Sequence, residues 1–193
     1  MTRVVLGVSG ASGAVLALDC AAALCRAGAE VDLVLSAMAE RTLAEEVGPD
    51  ARDRLCAMAA RIHPRGDLGA AIASGSCPVA GMIVAPCSMR SLAAIAHGFD
   101  DNLLTRAAGV QLKERRPLVL LAREAPLTLA HLRNMQAAAE MGAVILPPVP
   151  AFYLRPARLA DVTAQIAARA VDLLHLAPPQ ARAWTPDQTE ENR

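Results

Sequence analysis

The chain has 193 residues, of which 54% are hydrophobic, so it is long and apolar enough to fold as one ordinary domain. Acidic and basic residues both number 19, and the resulting zero net charge argues against a protein that binds nucleic acid or a membrane surface. Aromatic residues make up 2%, so the core must consist of Ala, Leu and Val, and few side chains can stack on bases.

The cysteine spacing and the N-terminal segment exclude further classes of protein. The five cysteines form no CxxC pair and are odd in number, so we expect neither a disulfide framework nor a zinc site. The scattered histidines show no metal-ligand spacing, and no metal is expected. The first apolar run, Val4–Val8, is too short for a signal peptide, and no apolar stretch is long enough to cross a membrane. We therefore expect a cytoplasmic protein.

Apolar, β-branched runs alternate with helical segments along the chain. Strands are predicted at 4–8, 31–35, 82–85, 118–122 and 143–146. Helices are predicted at 14–27, 37–47, 50–62, 88–97, 102–114, 128–141 and 159–176, with a loop over 64–78. Such alternation predicts a single-domain α/β fold, a Rossmann-like (flavodoxin-like) three-layer sandwich with a parallel sheet. We expect one domain over residues 1–177 and a polar tail over 178–193.

Small polar residues follow the first three predicted strands, at the edge where open α/β sheets bind ligands. Ser9–Gly13 ends a strand and opens a helix, so a phosphate fits its free N–H groups. Its glycine spacing matches neither dinucleotide nor P-loop patterns, which favours a mononucleotide. Ser36 and Ser88 each precede a predicted helix and are either ligand groups or N-caps. Cys87 could be a thiol of lowered pKa, although a packing role is favoured because no base is near it in sequence.

Charged residues follow the fourth strand. Arg123 and Glu124 would ordinarily be a surface pair, but their position favours an anion site, and Lys113, the chain's only lysine, precedes the same strand. The only tyrosine, Tyr153, ends a proline-rich loop and is expected to line a ligand site rather than the core. Arg169 would by default face solvent.

These segments together resemble the flavin prenyltransferase family, the UbiX-like flavoproteins. The resemblance is carried in order by 7–13, 73–76, 86–88, 103–108, 112–119, 123–126 and 142–153. The most specific pieces are Leu112–Val119 and Pro147–Tyr153. The resemblance implies an enzyme that needs no metal and transfers a dimethylallyl group from dimethylallyl phosphate to N5 and C6 of reduced FMN. It implies a homododecamer with active sites between subunits, whose product, prenylated FMN, serves a UbiD-type decarboxylase.

The resemblance also implies roles for individual residues. The residues expected to hold FMN are Gly10, Ala11, Ser12, Ser36, Ser88, Met89, Arg90, Ser91 and Arg123. The residues expected to hold the dimethylallyl phosphate are Tyr153, Arg169 and Lys113. Glu124 would transfer protons and Glu46 would assist from the rim of the site, while Lys113 and Arg123 would supply positive charge for catalysis.

The chain departs from the family pattern in two places. Ala37-Met38-Ala39 stands where many relatives carry Lys-Ala-Ala, and segment 61–72 is short, which puts the lid of the prenyl pocket in question. Two alternatives stay open. One is an FMN-dependent cysteine decarboxylase, although the helix after the third predicted strand lacks a His at its start. The other is an FMN-binding carrier or accessory subunit of a decarboxylase, which the full set of charged residues disfavours.

Overall fold

A computed structural model describes residues 2–185 as one parallel sheet between two layers of helices. The strands are β1 Thr2–Val8, β2 Ala29–Leu35, β3 Arg61–His63, β4 Met82–Cys87, β5 Leu118–Ala122 and β6 Val144–Ile145. Their order in the sheet is β3-β2-β1-β4-β5-β6, and all pairs are parallel. The order reverses between β1 and β4, which is the switch point where doubly wound sheets bind ligands.

Within residues 2–185, seven helices cover the sheet. They are α1 Val15–Arg26, α2 Ala37–Glu46, α3 Ala51–Ala57, α4 Met89–His97, α5 Leu103–Lys113, α6 Leu129–Glu140 and α7 Leu159–Asp172, with short 3-10 turns at Ala71–Ala73 and Phe152–Leu154. Helices α1 and α7 pack on one face, and α4, α5 and α6 contribute to the core on the other. This arrangement confirms the predicted three-layer α/β fold. No helix within residues 2–185 is long and apolar enough to cross a membrane.

Alternate residues of each strand point into the two halves of the core, as the pleat requires. In β1, Val4 and Leu6 join the α1/α7 side, whereas Val5 joins the α4/α5 side. Gly7 lets α5 approach closely, because a Cβ there would lie 3.1 Å from Cγ of Leu104 and 3.0 Å from Cε of Met82. The core is filled almost entirely by small aliphatic side chains, as the composition predicts.

The sequence missed the edge strand β3. Segment 50–62 was predicted to be one helix, but it forms α3 and then β3, which pairs with β2. Strand β3 has no apolar pattern of its own, and it is held by contacts to distant residues: Arg61 pairs with Glu30, and His63 with Asp32. A strand stabilised mainly by tertiary contacts leaves little local signal in the sequence.

Asp32 joins the first three strands through a buried ion-pair network. Its carboxylate is fully buried and accepts hydrogen bonds from Nε and Nη2 of Arg3 at 2.9 and 3.0 Å and from Nε2 of His63 at 2.8 Å. Burial opposes its ionisation, but the hydrogen bonds and charges of Arg3 and His63 outweigh that effect and lower the pKa of Asp32. The network therefore fixes β3 to the sheet as long as Asp32 is ionised.

Two element ends also differ from prediction. Strand β4 continues through Pro86 to Cys87, which pairs with Ala122, rather than stopping before the proline. Helix α7 ends at Asp172, and the Asp172 carboxylate accepts hydrogen bonds from the backbone N–H groups of Gln180 and Ala181. The first part of the predicted tail thus lies against α7, while residues 186–193 of that tail lie outside the described residues.

Candidate active site

A cleft of about 490 Å³ opens at the carboxyl ends of β1, β2 and β4, at the switch point of the sheet. Five of the nine residues predicted to hold FMN line it: Gly10, Ser36, Ser88, Arg90 and Ser91. They come from the turn after β1 and from the starts of α2 and α4, which the parallel sheet brings together. This is the location that the sequence predicted for a ligand.

Three helix N-termini converge on this cleft. Ser36 Oγ accepts from the N–H of Ala39 at the start of α2, and Ser88 Oγ accepts from the N–H of Ser91 at the start of α4. Asn102, which also lines the cleft, caps α5. The N-cap interpretation of both serines is confirmed, and it does not exclude the ligand interpretation, because the caps face the cleft. Three positive dipole ends make the cleft suitable for an anion such as a phosphate.

The sequence missed several cleft residues. Arg65, Met38, Asp101 and Asn102 line the cleft, and Asp101 forms an ion pair with Arg90. Asn102 had a recognisable signal, since Asn before an apolar helix is a common N-cap. Arg65 had none, because it lies in an irregular glycine-containing loop whose path only the tertiary structure defines.

Two N–H groups between the glycine turn after β1 and the start of α1 are already bonded within the protein. Oε2 of Glu46 accepts hydrogen bonds from the backbone N–H groups of Gly13 and Ala14 at 2.7 and 2.8 Å. A carboxylate therefore occupies the start of α1, where a phosphate was expected. Gly10 has a steric role, because a Cβ on it would lie 2.2 Å from Cβ of Met38. The helix N-termini that face the cleft are those of α2, α4 and α5, capped by Ser36, Ser88 and Asn102.

Glu46 belongs to a charged group beside that turn. Burial opposes ionisation of Glu46, but hydrogen bonds from Ala14, Ser12 and Gly13 and the charge of Arg123 outweigh it, so its pKa is lowered. Ser12 is exposed, and Ala11 is buried beneath it. Glu46 is therefore an exposed residue whose carboxylate is held beside the turn, near Arg123.

Arg123 and Glu124 follow β5 at the ligand edge. The N–H of Arg123 donates to the carbonyl of Cys87 at 3.0 Å, and its buried Nε has no hydrogen-bond partner among residues 2–185. A buried guanidinium N–H without a partner is costly, so this Nε–H is available to donate to a bound group. The Glu124 side chain is exposed, and Oε1 accepts from the N–H of Ala125 at 3.1 Å.

Lys113 lies at the opposite end of β5. It ends α5 and forms an ion pair with Glu114 beside the loop that contains Gly75. The five residues of β5 span roughly 16 Å at the usual strand rise, so Lys113 and Glu124 lie at opposite ends of this strand. Within one chain, the structure therefore does not bring Lys113 together with Glu124.

Tyr153 and Arg169 line a second cleft, of about 480 Å³, that shares no lining residue with the first. Arg182 of the tail segment contributes to its wall. Tyr153 is 52% exposed, so it lies outside the core, and its role in a ligand wall stays a prediction. One chain thus presents three separate groups of predicted site residues.

Cys87 is a packing residue. It is fully buried, and burial raises the pKa of its thiol to about 12, so it is protonated at neutral pH. Ser9, also buried, donates to the carbonyl of Pro86 and accepts from the N–H of Ser88, which ties the ends of β1 and β4 together. Among residues 2–185, no cluster of His, Cys, Asp and Glu could hold a metal ion.

Residues 1–168 match the protein family described as Flavoprotein. Flavin prenyltransferase UbiX of Neisseria meningitidis is 50% identical over 182 residues, which cover 94% of this chain and 96% of that protein. The crystal structure of AnUbiX (PadA1) in complex with FMN and dimethylallyl pyrophosphate has a TM-score of 0.90 at 43% identity, covering 95% of this chain and 97% of that one. A dodecameric FMN-dependent UbiX-like decarboxylase from Escherichia coli O157:H7 has a TM-score of 0.89 at 42% identity, with 95% and 100% covered.

Proposed function

The chain belongs to the Flavoprotein family, among the UbiX-type flavin prenyltransferases, and on that premise we propose its reaction. It transfers a dimethylallyl group from dimethylallyl phosphate to N5 and C6 of reduced FMN. The product is prenylated FMN, which serves a UbiD-type decarboxylase. The observation that carries the proposal is the cleft at the β1/β4 switch point, where three helix N-termini face predicted flavin-binding residues.

The cleft residues fit a flavin mononucleotide. The N-termini of α2, α4 and α5 suit its phosphate, and Gly10 lets α2 approach the turn after β1, since a Cβ there would meet Met38. Arg123, with its unpartnered Nε, fits a polar edge of the ring system. Ala11, Ser12 and Met89 adjoin these groups in sequence and complete the proposed binding set. The reduced flavin supplies the nucleophilic ring atoms when it is bound.

Positive charge favours departure of the donor's phosphate. Lys113, Tyr153 and Arg169 hold this phosphate, and Arg123 lies across from it. In a partly dry site, fixed cations and a hydroxyl stabilise the departing anion far more than they would in water. The Ala, Val and Pro residues of the chain provide an apolar surface for the allyl group.

Glu124 transfers the proton in this proposal, and Glu46 has a supporting role. Glu124 accepts the proton that C6 loses after substitution, because it follows Arg123 directly and its carboxylate is accessible. Glu46 stays ionised and orients Ser12 and Arg123 from the rim.

A homo-oligomer explains the spacing of the site residues. Lys113 lies at the far edge of the sheet, and Tyr153 and Arg169 lie in another cleft, so neighbouring subunits must supply them to a complete site. We propose a dodecamer, the assembly named for the E. coli O157:H7 relative. The proposal further includes a flavoprotein domain over residues 1–177, a tail over 178–193 and a cytoplasmic location.

The reaction can be tested with purified protein, reduced FMN and dimethylallyl monophosphate in the absence of oxygen. A flavin product heavier by one C5H8 unit is expected by mass spectrometry. Bound FMN without this mass gain would contradict the proposal and favour the carrier alternative. Oxidation of a peptide or pantothenoyl cysteine with release of carbon dioxide would favour the cysteine decarboxylase instead.

A further inference from the structure

Arg65 lines the switch-point cleft, and its backbone is held in place by a hydrogen bond. Its carbonyl oxygen accepts a hydrogen bond of 2.8 Å from the N–H of Leu103, the first residue of α5. The loop after β3 is therefore tied to the α5 N-terminus, and Arg65 shares the cleft with the caps Ser36 and Ser88. The backbone of Arg65 is thus anchored, while its guanidinium is exposed.

The charge of Arg65 is not balanced by the protein. Arg90, the other arginine lining the cleft, is paired with Asp101, and nearby Arg61 is paired with Glu30. Within the described part of the chain, no carboxylate pairs with Arg65. A cation close to three positive helix ends is electrostatically unfavourable, so the local field favours a bound anion.

We propose that Arg65 binds the phosphate of FMN and sets the preference of this protein for FMN over riboflavin. The inference rests on the proposed function, in that it places the flavin in this cleft. A guanidinium presents a planar fork of N–H donors that matches two phosphate oxygens. The positive ends of the α2, α4 and α5 dipoles, which face the same cleft, complete the phosphate site around it.

Flavin affinity tests the role of Arg65 separately from prenyl transfer. Dissociation constants for FMN and riboflavin are measured by flavin fluorescence for wild type, Arg65→Ala, Arg65→Lys and Arg54→Ala. Arg54→Ala is the matched control, since Arg54 is an exposed arginine on α3 outside the cleft. Arg65→Ala should weaken FMN binding by about tenfold or more and leave riboflavin binding unchanged. Arg65→Lys should retain part of the preference, and Arg54→Ala all of it.

Folding does not confound the comparison, because Arg65→Ala keeps the carbonyl that pairs with Leu103. An Arg65→Ala protein that binds FMN as tightly as wild type, or loses FMN and riboflavin affinity equally, overturns the role of Arg65. The prenyl-transfer assay with wild-type protein then still decides the proposed function by itself. A wild-type protein that binds neither flavin overturns both.

Discussion

The carboxylate of Glu46 accepts a 2.7 Å hydrogen bond from the backbone N–H of Gly13, so an acidic side chain caps the first helix of the sandwich. Residues 33 positions apart in sequence thereby join the glycine turn to the end of α2. This contact also places a negative charge near Arg123. The carboxylate thus lies at the start of α1, where the sequence had suggested a phosphate.

Glu46→Gln should strongly reduce product formation but only slightly reduce the free energy of unfolding. The amide oxygen can still accept from Gly13, so the loss of charge at the helix start should cost at most about 1 kcal/mol of unfolding free energy. Product formation should fall at least about tenfold, because Arg123 loses a fixed counter-charge in the site. Chemical denaturation and the mass-spectrometric assay measure the two effects. Glu45→Gln is the control, since Glu45 pairs with Arg41 on the surface. Equal activity of both variants would contradict the role of Glu46.

The lowered pKa of Glu46 also predicts a pH profile. A carboxylate with a depressed pKa keeps its stabilising contacts above its ordinary value of 4.5 and loses them as the pH falls through the lowered pKa. Between about pH 5 and 8 Glu46 should stay ionised, so the pH profiles of activity for wild type and Glu46→Gln should have the same shape. An acidic limb in this range that is lost in the variant would show that Glu46 titrates at a higher pH than its contacts imply.

Lys113 and Glu124 should complement each other across subunits, because they lie at opposite ends of β5 in one chain. Lys113→Ala and Glu124→Gln should each bind FMN yet form little product when expressed alone. When both variants are co-expressed, roughly a quarter of the sites in a randomly mixed oligomer should carry both native residues and be active. The rate of product formation by the mixed oligomer is the measurement. No recovery in oligomers shown to be mixed would indicate that the two residues do not share a site.

Arg169→Ala should affect use of the phosphate donor and leave flavin binding intact. Arg169 lines the cleft with Tyr153, away from the switch-point cleft. Loss of one charge-assisted contact should raise the KM for dimethylallyl phosphate by about tenfold. Steady-state kinetics and flavin fluorescence separate the two effects, with the surface variant Arg133→Ala as control. An unchanged KM would count against this placement of Arg169.

Asp32→Asn should destabilise the fold by loosening the attachment of β3 to the sheet. It removes the charge that partners Arg3 and His63, and should cost about 2–3 kcal/mol of unfolding free energy, less than a fully buried pair because Arg3 is partly exposed. Glu30→Gln, which breaks a surface pair with Arg61, should cost less than about 1 kcal/mol. Urea denaturation measures both, and similar losses in the two variants would contradict the special role of Asp32.

The pH dependence of stability follows from the same network. Because the folded-state pKa of Asp32 is lowered, its stabilisation is complete above the ordinary value of 3.8 and is lost as the pH falls through the lowered pKa. The melting temperature of the wild-type protein should therefore drop below about pH 4, and more steeply than that of Asp32→Asn. Parallel curves for the two proteins would show that Asp32 does not contribute to acid sensitivity.

Much of the fold was predictable because its signals are local. The runs at β1, β2 and β5 are apolar and β-branched, and the helices between them begin at caps such as Ser36 and Ser88. Strand β3 escaped prediction because Asp32 and Glu30, which hold it, are about thirty residues away. The local pattern around Arg61 and His63 continued that of α3, so tertiary pairing overrode it.

The α/β class, the expected position of a ligand at the carboxyl ends of the strands and the resemblance to flavin prenyltransferases were all predictable from the amino-acid sequence, because alternation, caps and motifs are properties of short segments. The folded chain was needed to show that Glu46 occupies the α1 N-terminus, that α2, α4 and α5 converge with Arg65 on one cleft, and that Lys113 lies at the far end of β5 from Glu124. Those relationships depend on how strands pair and in which direction each helix returns, and no short segment encodes a distance between two loops.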